Sequence, residues 1–365
     1  MTFTYTFALK FPPPRNFCQK MKILIAPDKF KGTLSASEVT DIIADQLASL
    51  NADIIKMPMA DGGEGTSEVL SRLLDMSPRT LPASNSMMQP IPAGATYYVN
   101  PSARTVAVDS SSVLGLSLID KSQSSPLDRT SYPFGELLAE IIETEDPLTI
   151  YIGIGGTSTV DGGEGFLQAL GYDHASHKAK VTLPRIIALS DVAVPLVAPG
   201  NNPSSLTFAP QKGATNEEIA IIRGRLEKFR CRFSDIDSKF AGAGGGMGFA
   251  LAVIGAEINL GADFLIRLAD IPSINPDLII TGEGSLDSQT SLGKAAGTLI
   301  KYGDKNRIPV IAIGGCVTPD FNPSGTAAVL STQHYPPEGC LNYHKAKARL
   351  IAASQDAAHW IAERQ

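Results

Sequence analysis

Short apolar runs that end in a turn and continue into a helical pattern recur along this chain. Residues 22–26 form one such run and are followed by Pro27-Asp28, and a second run at Asp53–Met59 leads into a turn at 60–65 that is rich in glycine and acid. Apolar runs of this length suit strands that are buried on both faces, as in a parallel sheet. Their alternation with amphipathic helices is typical of α/β domains, so we predict an α/β fold.

The middle of the chain differs from its two ends. Apolar strands return at Asp277–Thr281, Pro309–Ile313 and Ala327–Leu330, whereas residues 92–133 hold serines, prolines and patterns of antiparallel strands. An α/β domain inserted into the first one explains this order. We predict one discontinuous domain, 21–80 plus 265–365, and an inserted α/β domain, 81–264. Residues 1–20, with three consecutive prolines, are predicted to be a disordered extension.

Composition excludes several classes of protein. Hydrophobic residues make up 43% and charged residues 19%, which is too apolar for intrinsic disorder. The net charge is −6 and no Lys/Arg run is present, so nucleic acid is not an expected partner. The four cysteines are scattered and no apolar run is long enough to cross a membrane. We therefore expect a cytoplasmic protein with a small-molecule substrate, and its oligomeric state stays open.

Four glycine-rich turns suggest a phosphate site. Backbone N–H groups of glycine turns can converge on a phosphate, and the helix that follows adds partial positive charge. The predicted substrate- or phosphate-binding residues are Asp28, Gly155, Gly156, Thr157, Lys212, Gly244, Gly245, Gly282, Gly284, Ser285 and Lys294. Carboxylates beside phosphate call for a cation such as Mg²⁺, which binds both. The predicted metal ligands are Asp61, Glu64, Asp161 and Glu283. Glycines with acids in this pattern suit phosphoryl transfer from a nucleotide such as ATP.

Three further charged residues are the catalytic candidates. Lys31 follows the first strand and could neutralise a transferring phosphate, while Asp191 follows a strand-like run and could accept the proton of an attacking hydroxyl. Asp287 is a second possible base or a metal ligand. The same residues also have structural interpretations, because acids cap helices and glycines form turns without any ligand.

Two other functions stay open at this stage. An NAD-dependent oxidoreductase could use the same glycine turns, although a strict GxGxxG sequence is absent. A non-catalytic two-domain protein that binds a phosphorylated metabolite is the other alternative. The chain also lacks the GxxxxGK[ST] sequence of P-loop proteins.

Six sequence blocks resemble the type I glycerate kinase family. They are IAPDKFKGTLSA (25–36), PMADGGEGT (58–66), IGIGGTSTVDGGEGFLQALG (152–171), FAPQKGA (208–214), GAGGGMGFAL (242–251) and LIITGEGSLDSQT (278–290). The resemblance implies two α/β domains, one flavodoxin-like with a parallel sheet and the second inserted into it, with the active site between them. It also implies ATP- and Mg²⁺-dependent phosphorylation of D-glycerate, usually at the 2-hydroxyl.

Overall fold

The computed structural model describes most of the chain. The described residues are 3–6, 20–173, 175–176, 178–200, 202–233, 236, 238–288, 290, 293–321, 328–335, 337 and 341–363. The strands are β1 (Phe3–Thr6), β2 (Met21–Ile25), β3 (Ala52–Lys56), β4 (Ser77–Leu81), β5 (Ala95–Asn100), β6 (Thr105–Asp109), β7 (Thr149–Gly153), β8 (Arg185–Ser190), β9 (Glu257–Leu260), β10 (Leu278–Leu286), β11 (Val310–Val317) and β12 (Ala328–Ser331).

Helices separate most of these strands. The α-helices are α1 (Ala36–Leu47), α2 (Thr66–Leu73), α3 (Ser111–Leu114), α4 (Tyr132–Glu145), α5 (Glu164–Ala169), α6 (Asn216–Cys231), α7 (Met247–Val253), α8 (Gly261–Leu268), α9 (Ile271–Ile274), α10 (Ala295–Asn306) and α11 (Tyr343–Ala362). Short 3-10 turns lie at Leu116–Leu118, Pro126–Asp128, Ser205–Phe208, Pro210–Lys212 and Ala243–Gly246. No helix in these described ranges is long and apolar enough to span a membrane.

The chain divides into two compact units. Unit 1 comprises Met1–Asp61 and Ala262–Gln365, and unit 2 is Gly62–Gly261. The first boundary therefore falls at 61/62 and not at the predicted 80/81. The reason is packing: α2 contacts β5, β6 and β7, and β4 pairs with β5, so residues 62–80 belong to the second sheet.

Unit 1 contains a sheet of flavodoxin-like topology. Its strand order is β1-β12-β11-β10-β2-β3, and all strands except β1 run parallel. Counted along the chain, the five parallel strands have the order 2-1-3-4-5, which is that of flavodoxin. The strand order reverses between β2 and β10. The predicted fold class is confirmed here.

Helices α1 and α11 pack together on the sheet of unit 1. Ile23 and Ile25 of β2 belong to the same hydrophobic cluster as the apolar residues of both helices and are fully buried. Helix α1 begins with a capping box: the Ser35 hydroxyl accepts from the Glu38 N–H, and the Glu38 carboxylate accepts from the Ser35 N–H. This cap fixes where the loop after β2 turns into α1.

The strand β1 corrects the prediction for the N-terminal residues. Phe3–Thr6 pairs antiparallel with Ala328–Ser331, so this part of 1–20 is ordered at the sheet edge. A parallel sheet leaves its edge strand with unpaired backbone groups, and an added strand satisfies them. Residues 7–19, which the same prediction covered, lie outside the described residues.

Unit 2 contains a mixed sheet. Its order is β4-β5-β6-β7-β8-β9, with β4 and β5 antiparallel to their neighbours and β6 to β9 parallel. Phe229, Phe233 and Phe249 stack edge to face beneath it at centroid distances of 5.4–5.9 Å. The second α/β unit is thus a distinct core that brings the carboxyl ends of four parallel strands to one edge.

Candidate active site

The carboxyl end of β2 in unit 1 lies where the strand order reverses. Ligands of open α/β sheets bind at this point, outside the carboxyl ends of the strands. The Asp28 N–H donates to the Gly282 carbonyl at 2.8 Å, which ties the loop after β2 to β10. The Asp28 side chain is 7% exposed and accepts from the Lys29 N–H at 2.6 Å. The fold therefore buries a carboxyl group at the expected ligand position.

Burial and neighbouring acidic groups raise the pKa of Asp28. Burial raises the pKa of Asp28 well above its ordinary value, and the charges of Asp61 and Glu283 raise it further, while Lys29 opposes them. Three acids from three separate segments are thus electrostatic neighbours in unit 1. A cation bound among them would relieve this repulsion.

Glu283 and Lys294 form an ion pair beside these acids. The Lys294 ammonium lies 3.2 Å from Glu283 Oε2 and 3.5 Å from Asp287 Oδ1. Burial raises the pKa of Glu283, with Lys294 as the main opposing charge. Burial also acts to lower the pKa of Lys294, but the two carboxylates outweigh it and the net pKa is raised. Lys294 is also the residue that precedes the first turn of α10.

Packing accounts for two of the predicted glycines of unit 1. A Cβ at Gly282 would lie 2.2 Å from the Ile313 carbonyl oxygen, and one at Gly284 would lie 3.1 Å from the Lys31 nitrogen. Gly282 is therefore needed for strand contact whether or not it binds phosphate. Ser285 continues β10 and is partly exposed. The Lys31 side chain is exposed in the tight turn from Phe30 to Leu34, where backbone groups pair across the turn.

In unit 2, glycine turns meet at the carboxyl ends of β7 and β8. The Gly155 N–H donates to the Gly62 carbonyl at 3.0 Å. A Cβ at Gly155 would lie 2.8 Å from Gly63 and 3.3 Å from the carboxyl group of Asp191. Gly156 has a positive φ of 78°, a conformation that glycine adopts without strain. Asp191, which is partly exposed, thus stands directly beside the predicted phosphate turn.

Lys212 points into the same turn. Its ammonium donates to the Thr159 carbonyl at 2.6 Å and to the Thr157 hydroxyl at 3.3 Å, and the residue is 7% exposed. Burial lowers the pKa of Lys212 to about 8, although the charges of Asp161 and Asp191 act in the opposite direction. A buried charge is costly unless it is paired, so this ammonium is suited to an anionic partner.

The glycine turn that contains Gly244 and Gly245 packs against Lys212 and Thr159. Gly244 and Gly245 have φ values of 59° and 71°. A Cβ at Gly245 would lie 1.9 Å from the Thr159 carbonyl oxygen and 2.6 Å from the Lys212 ammonium. Any side chain there would displace Lys212. The structure therefore brings the predicted residues of unit 2 together, and gives these two glycines a packing role in addition.

Arg129 is a site residue that the sequence did not indicate. It is 2% exposed, and its guanidinium donates to the Lys212 carbonyl at 2.7 Å and to the Ser158 carbonyl at 3.3 Å. It thereby joins the 3-10 turn that carries Lys212 to the turn that carries Thr157. No motif surrounds Arg129, and its partners are far away in the sequence, so only the fold reveals it.

Asp161, a predicted metal ligand, caps a helix in this structure. Its Oδ2 accepts from the Ser131 N–H, the Ser131 hydroxyl and the Gly165 N–H at 2.7–3.3 Å, and Oδ1 accepts from the Gly163 N–H. These bonds fix the start of α5. A capping acid and a metal-binding acid give the same sequence pattern in a glycine turn, and the metal role of Asp161 stays a prediction.

The glycine-rich acidic turn at 60–65 has a comparable cap. It is provided by Asp109, a residue that the sequence analysis did not identify. Asp109, at the end of β6, accepts from the Gly65 N–H at 2.8 Å and from the Ser67 N–H and hydroxyl at 2.9–3.0 Å. It holds the first turn of α2. Glu64, a predicted metal ligand in this turn, is exposed.

The donor set of unit 1 fits Mg²⁺ better than that of unit 2. Glu283 Oε1 is buried and has no hydrogen-bond partner, and a buried orphan carboxylate oxygen is suited to a cation. No group of three or more His, Cys, Asp or Glu side chains among the described residues forms a ready metal cage. Mg²⁺ is commonly held by one or two carboxylates together with substrate phosphates, so the residues present fit this ion.

Each unit gathers glycines, a lysine and acids at the carboxyl ends of parallel strands, an arrangement typical of α/β proteins that bind an anionic ligand. Comparison with known proteins narrows this class. The sequence model of the glycerate kinase family matches residues 23–185 and 172–362. The chain belongs to the glycerate kinase family and is an enzyme of the kinase class.

Similarities to individual proteins support the assignment to the glycerate kinase family. Glycerate 2-kinase of Escherichia coli K12 is 32% identical over 334 residues, which cover 82% of this chain and 86% of that protein. Glycerate kinase of Bacillus subtilis 168 is 31% identical over 336 residues, covering 83% and 87%. A crystal structure reported as a candidate glycerate kinase 2 from Salmonella typhimurium LT2 is similar with a TM-score of 0.75 and 29% identity, covering 94% of this chain and 99% of that one.

Proposed function

We propose that this enzyme transfers the γ-phosphoryl group of ATP to the 2-hydroxyl of D-glycerate, with Mg²⁺ as the metal. The proposal combines the family with the activity for which the Escherichia coli relative is named. The single observation that supports it most is the Lys212–Thr157–Asp191 group, because it pairs a buried cation with a carboxylate. A small hydroxy acid presents the matching pair, a carboxylate and a hydroxyl.

D-Glycerate is assigned to unit 2 in this proposal. Lys212 and the Thr157 hydroxyl bind the substrate carboxylate, and N–H groups of the turn at Gly155 and Gly156 add donors. Asp191 accepts the proton of the attacking hydroxyl as that oxygen bonds to phosphorus. Arg129 positions Lys212 through its backbone carbonyl.

The Mg²⁺ and the phosphates of ATP are assigned to unit 1. Asp28, Asp61 and Glu283 would hold the ion, and Mg²⁺ when bound supplies neutralisation of phosphate charge. Lys294 and the start of α10 bind phosphate oxygens. Lys31 is exposed and can neutralise phosphate charge from the surface of this unit. Asp287, which is ion-paired with Lys294, serves here as a ligand-binding residue and not as the base. The predicted cytoplasmic location stays a prediction.

The test is product formation with defined acceptors. The purified chain with ATP and Mg²⁺ is incubated with D-glycerate, with L-glycerate or without acceptor, and ADP release is measured. We expect ADP only with D-glycerate, and a ³¹P NMR doublet from coupling to the single proton on C2. A triplet would place the phosphate on the 3-hydroxyl. Folded protein that releases no ADP with either enantiomer would refute the proposal, and reduction of NAD with glycerate would favour the oxidoreductase alternative.

A further inference from the structure

An open pocket lies beside the acidic group of unit 1. It has a volume of about 480 Å³ and is lined by Asp287, Ser288, Thr318, Pro319, Asp320 and Tyr335. These residues lie within four positions after the ends of β10, β11 and β12, which are neighbours in the sheet. The pocket therefore lies at the carboxyl ends of three adjacent parallel strands, where α/β sheets bind ligands.

One wall of the pocket offers a fixed hydrogen-bond acceptor. The Thr318 hydroxyl lies within hydrogen-bond distance of the Leu286 carbonyl, at 3.1 Å, and contacts the Asp320 carboxylate. Hydrogen bonds from the Ser288 and Thr318 side chains lower the pKa of Asp320, so this group stays ionised at neutral pH. A carboxylate held by neighbouring hydroxyls suits a ligand that donates from hydroxyl groups, such as a ribose diol.

An aromatic ring also lines the pocket. Tyr335 is 55% exposed and is one of only five large hydrophobic residues that are exposed within the described ranges. An exposed ring at the mouth of a polar pocket provides a stacking surface, and bases stack on such rings without sequence preference.

The pocket adjoins a phosphate position through Asp287. Lys294 lies 3.5 Å from Asp287 and precedes the first turn of the 12-residue helix α10. A lysine at a helix start favours a phosphate group. Lys294 thus lies next to Asp287, which lines the same pocket as Asp320 and Tyr335.

We propose that this pocket is the nucleoside subsite of the enzyme. Asp320 accepts from the ribose hydroxyls, Tyr335 stacks on the base, and the phosphates extend toward Lys294. The assignment rests on the proposed function, in that ATP is the phosphoryl donor. It extends that function, because it places the nucleoside in unit 1 and names the residues that contact it.

The experiment measures binding of ADP and of inorganic tripolyphosphate by calorimetry, in the presence of Mg²⁺ and without glycerate. For Tyr335→Ala we expect ADP to bind about 5- to 150-fold more weakly, the range for loss of base stacking, with tripolyphosphate binding unchanged. Tyr335→Phe keeps a stacking ring and should bind ADP within about threefold of the wild type. Asp320→Asn should weaken ADP but not tripolyphosphate.

The matched control is Tyr343→Ala. Tyr343 is also an exposed tyrosine of unit 1, but it lies in α11 and donates to Glu38 at 2.9 Å. The Tyr343→Ala substitution should leave ADP binding unchanged. Thermal melts followed by circular dichroism verify that every variant is folded.

Each outcome bears on one proposal. Equal ADP affinity in wild type and Tyr335→Ala would refute the nucleoside subsite while leaving ATP-dependent activity untouched. Parallel loss of ADP and tripolyphosphate would also refute it, because the effect would not be specific for the nucleoside. A folded wild type that binds neither ADP nor ATP would refute the proposed function itself.

Discussion

The protonation of Lys212 should control how well the enzyme uses D-glycerate. The pKa of Lys212 is lowered to about 8 by burial, so the ammonium that binds the substrate carboxylate is lost as the pH rises through this value. The protonated fraction falls from about 0.9 at pH 7 to about 0.1 at pH 9 for a pKa of this size. We therefore expect kcat/KM for D-glycerate to fall about tenfold between these pH values. An exposed lysine would remain charged throughout.

The assay must not depend on coupling enzymes, which have pH profiles of their own. Quenched samples taken at pH 7.0 to 9.5 with saturating ATP and Mg²⁺ give kcat/KM directly from the phosphoglycerate formed. Bound substrate carboxylate stabilises the ammonium, so the fall in kcat should occur at higher pH than the fall in kcat/KM. Lys212→Arg keeps a charge at every pH and should have a flat profile.

Two results would refute this reasoning. One is a wild-type kcat/KM that stays within about twofold from pH 7 to 9. The other is the same fall in a folded Lys212→Arg variant, which would assign the titration to another group.

Stability provides an independent measure of the same pKa. The unfolded state, with an ordinary lysine pKa of 10.5, binds more protons than the folded state between about pH 8 and that value. Linkage then makes the folded state gain stability as the pH rises through this window, by up to roughly 3 kcal/mol from this group. Urea unfolding should show this gain in the wild type relative to Lys212→Met.

Three further substitutions test the assigned roles. Asp191→Asn should lower kcat by roughly 10²- to 10⁴-fold, as expected for a positioned base, and a loss below about threefold in the ADP-release assay would contradict its role. Glu283→Gln should raise the Mg²⁺ concentration for half-maximal activity by at least about tenfold, measured by titration after chelation with EDTA; an unchanged titration would mean that this carboxylate does not hold the ion. Asp161→Ala should cost about 1–3 kcal/mol in urea unfolding, because it leaves donors at the start of α5 without a partner, and its Mg²⁺ titration should match the wild type.

The sequence predicted the class of fold because local pattern carries that information. The apolar run at residues 22–26 contains strand β2, whose Ile23, Leu24 and Ile25 are buried. The β-α alternation indicated parallel strands, and the loops at their carboxyl ends hold the predicted glycines. The boundary at 80/81 was wrong because strand pairing, which assigns β4 to the second sheet, is not a local property.

What each acidic residue does was decided only by the tertiary structure. The chain places Asp and Glu in similar glycine turns, yet Asp161 caps a helix while Glu283 keeps a buried oxygen without a partner. Such roles depend on hydrogen bonds between groups that are distant in the sequence. Asp109 accepts from Gly65, 44 residues away, and Arg129 donates to Lys212, 83 residues away. Residue type and spacing specify which hydrogen bonds a side chain can make. Only the packed fold specifies which of them are already made, and therefore which charges are left for a ligand.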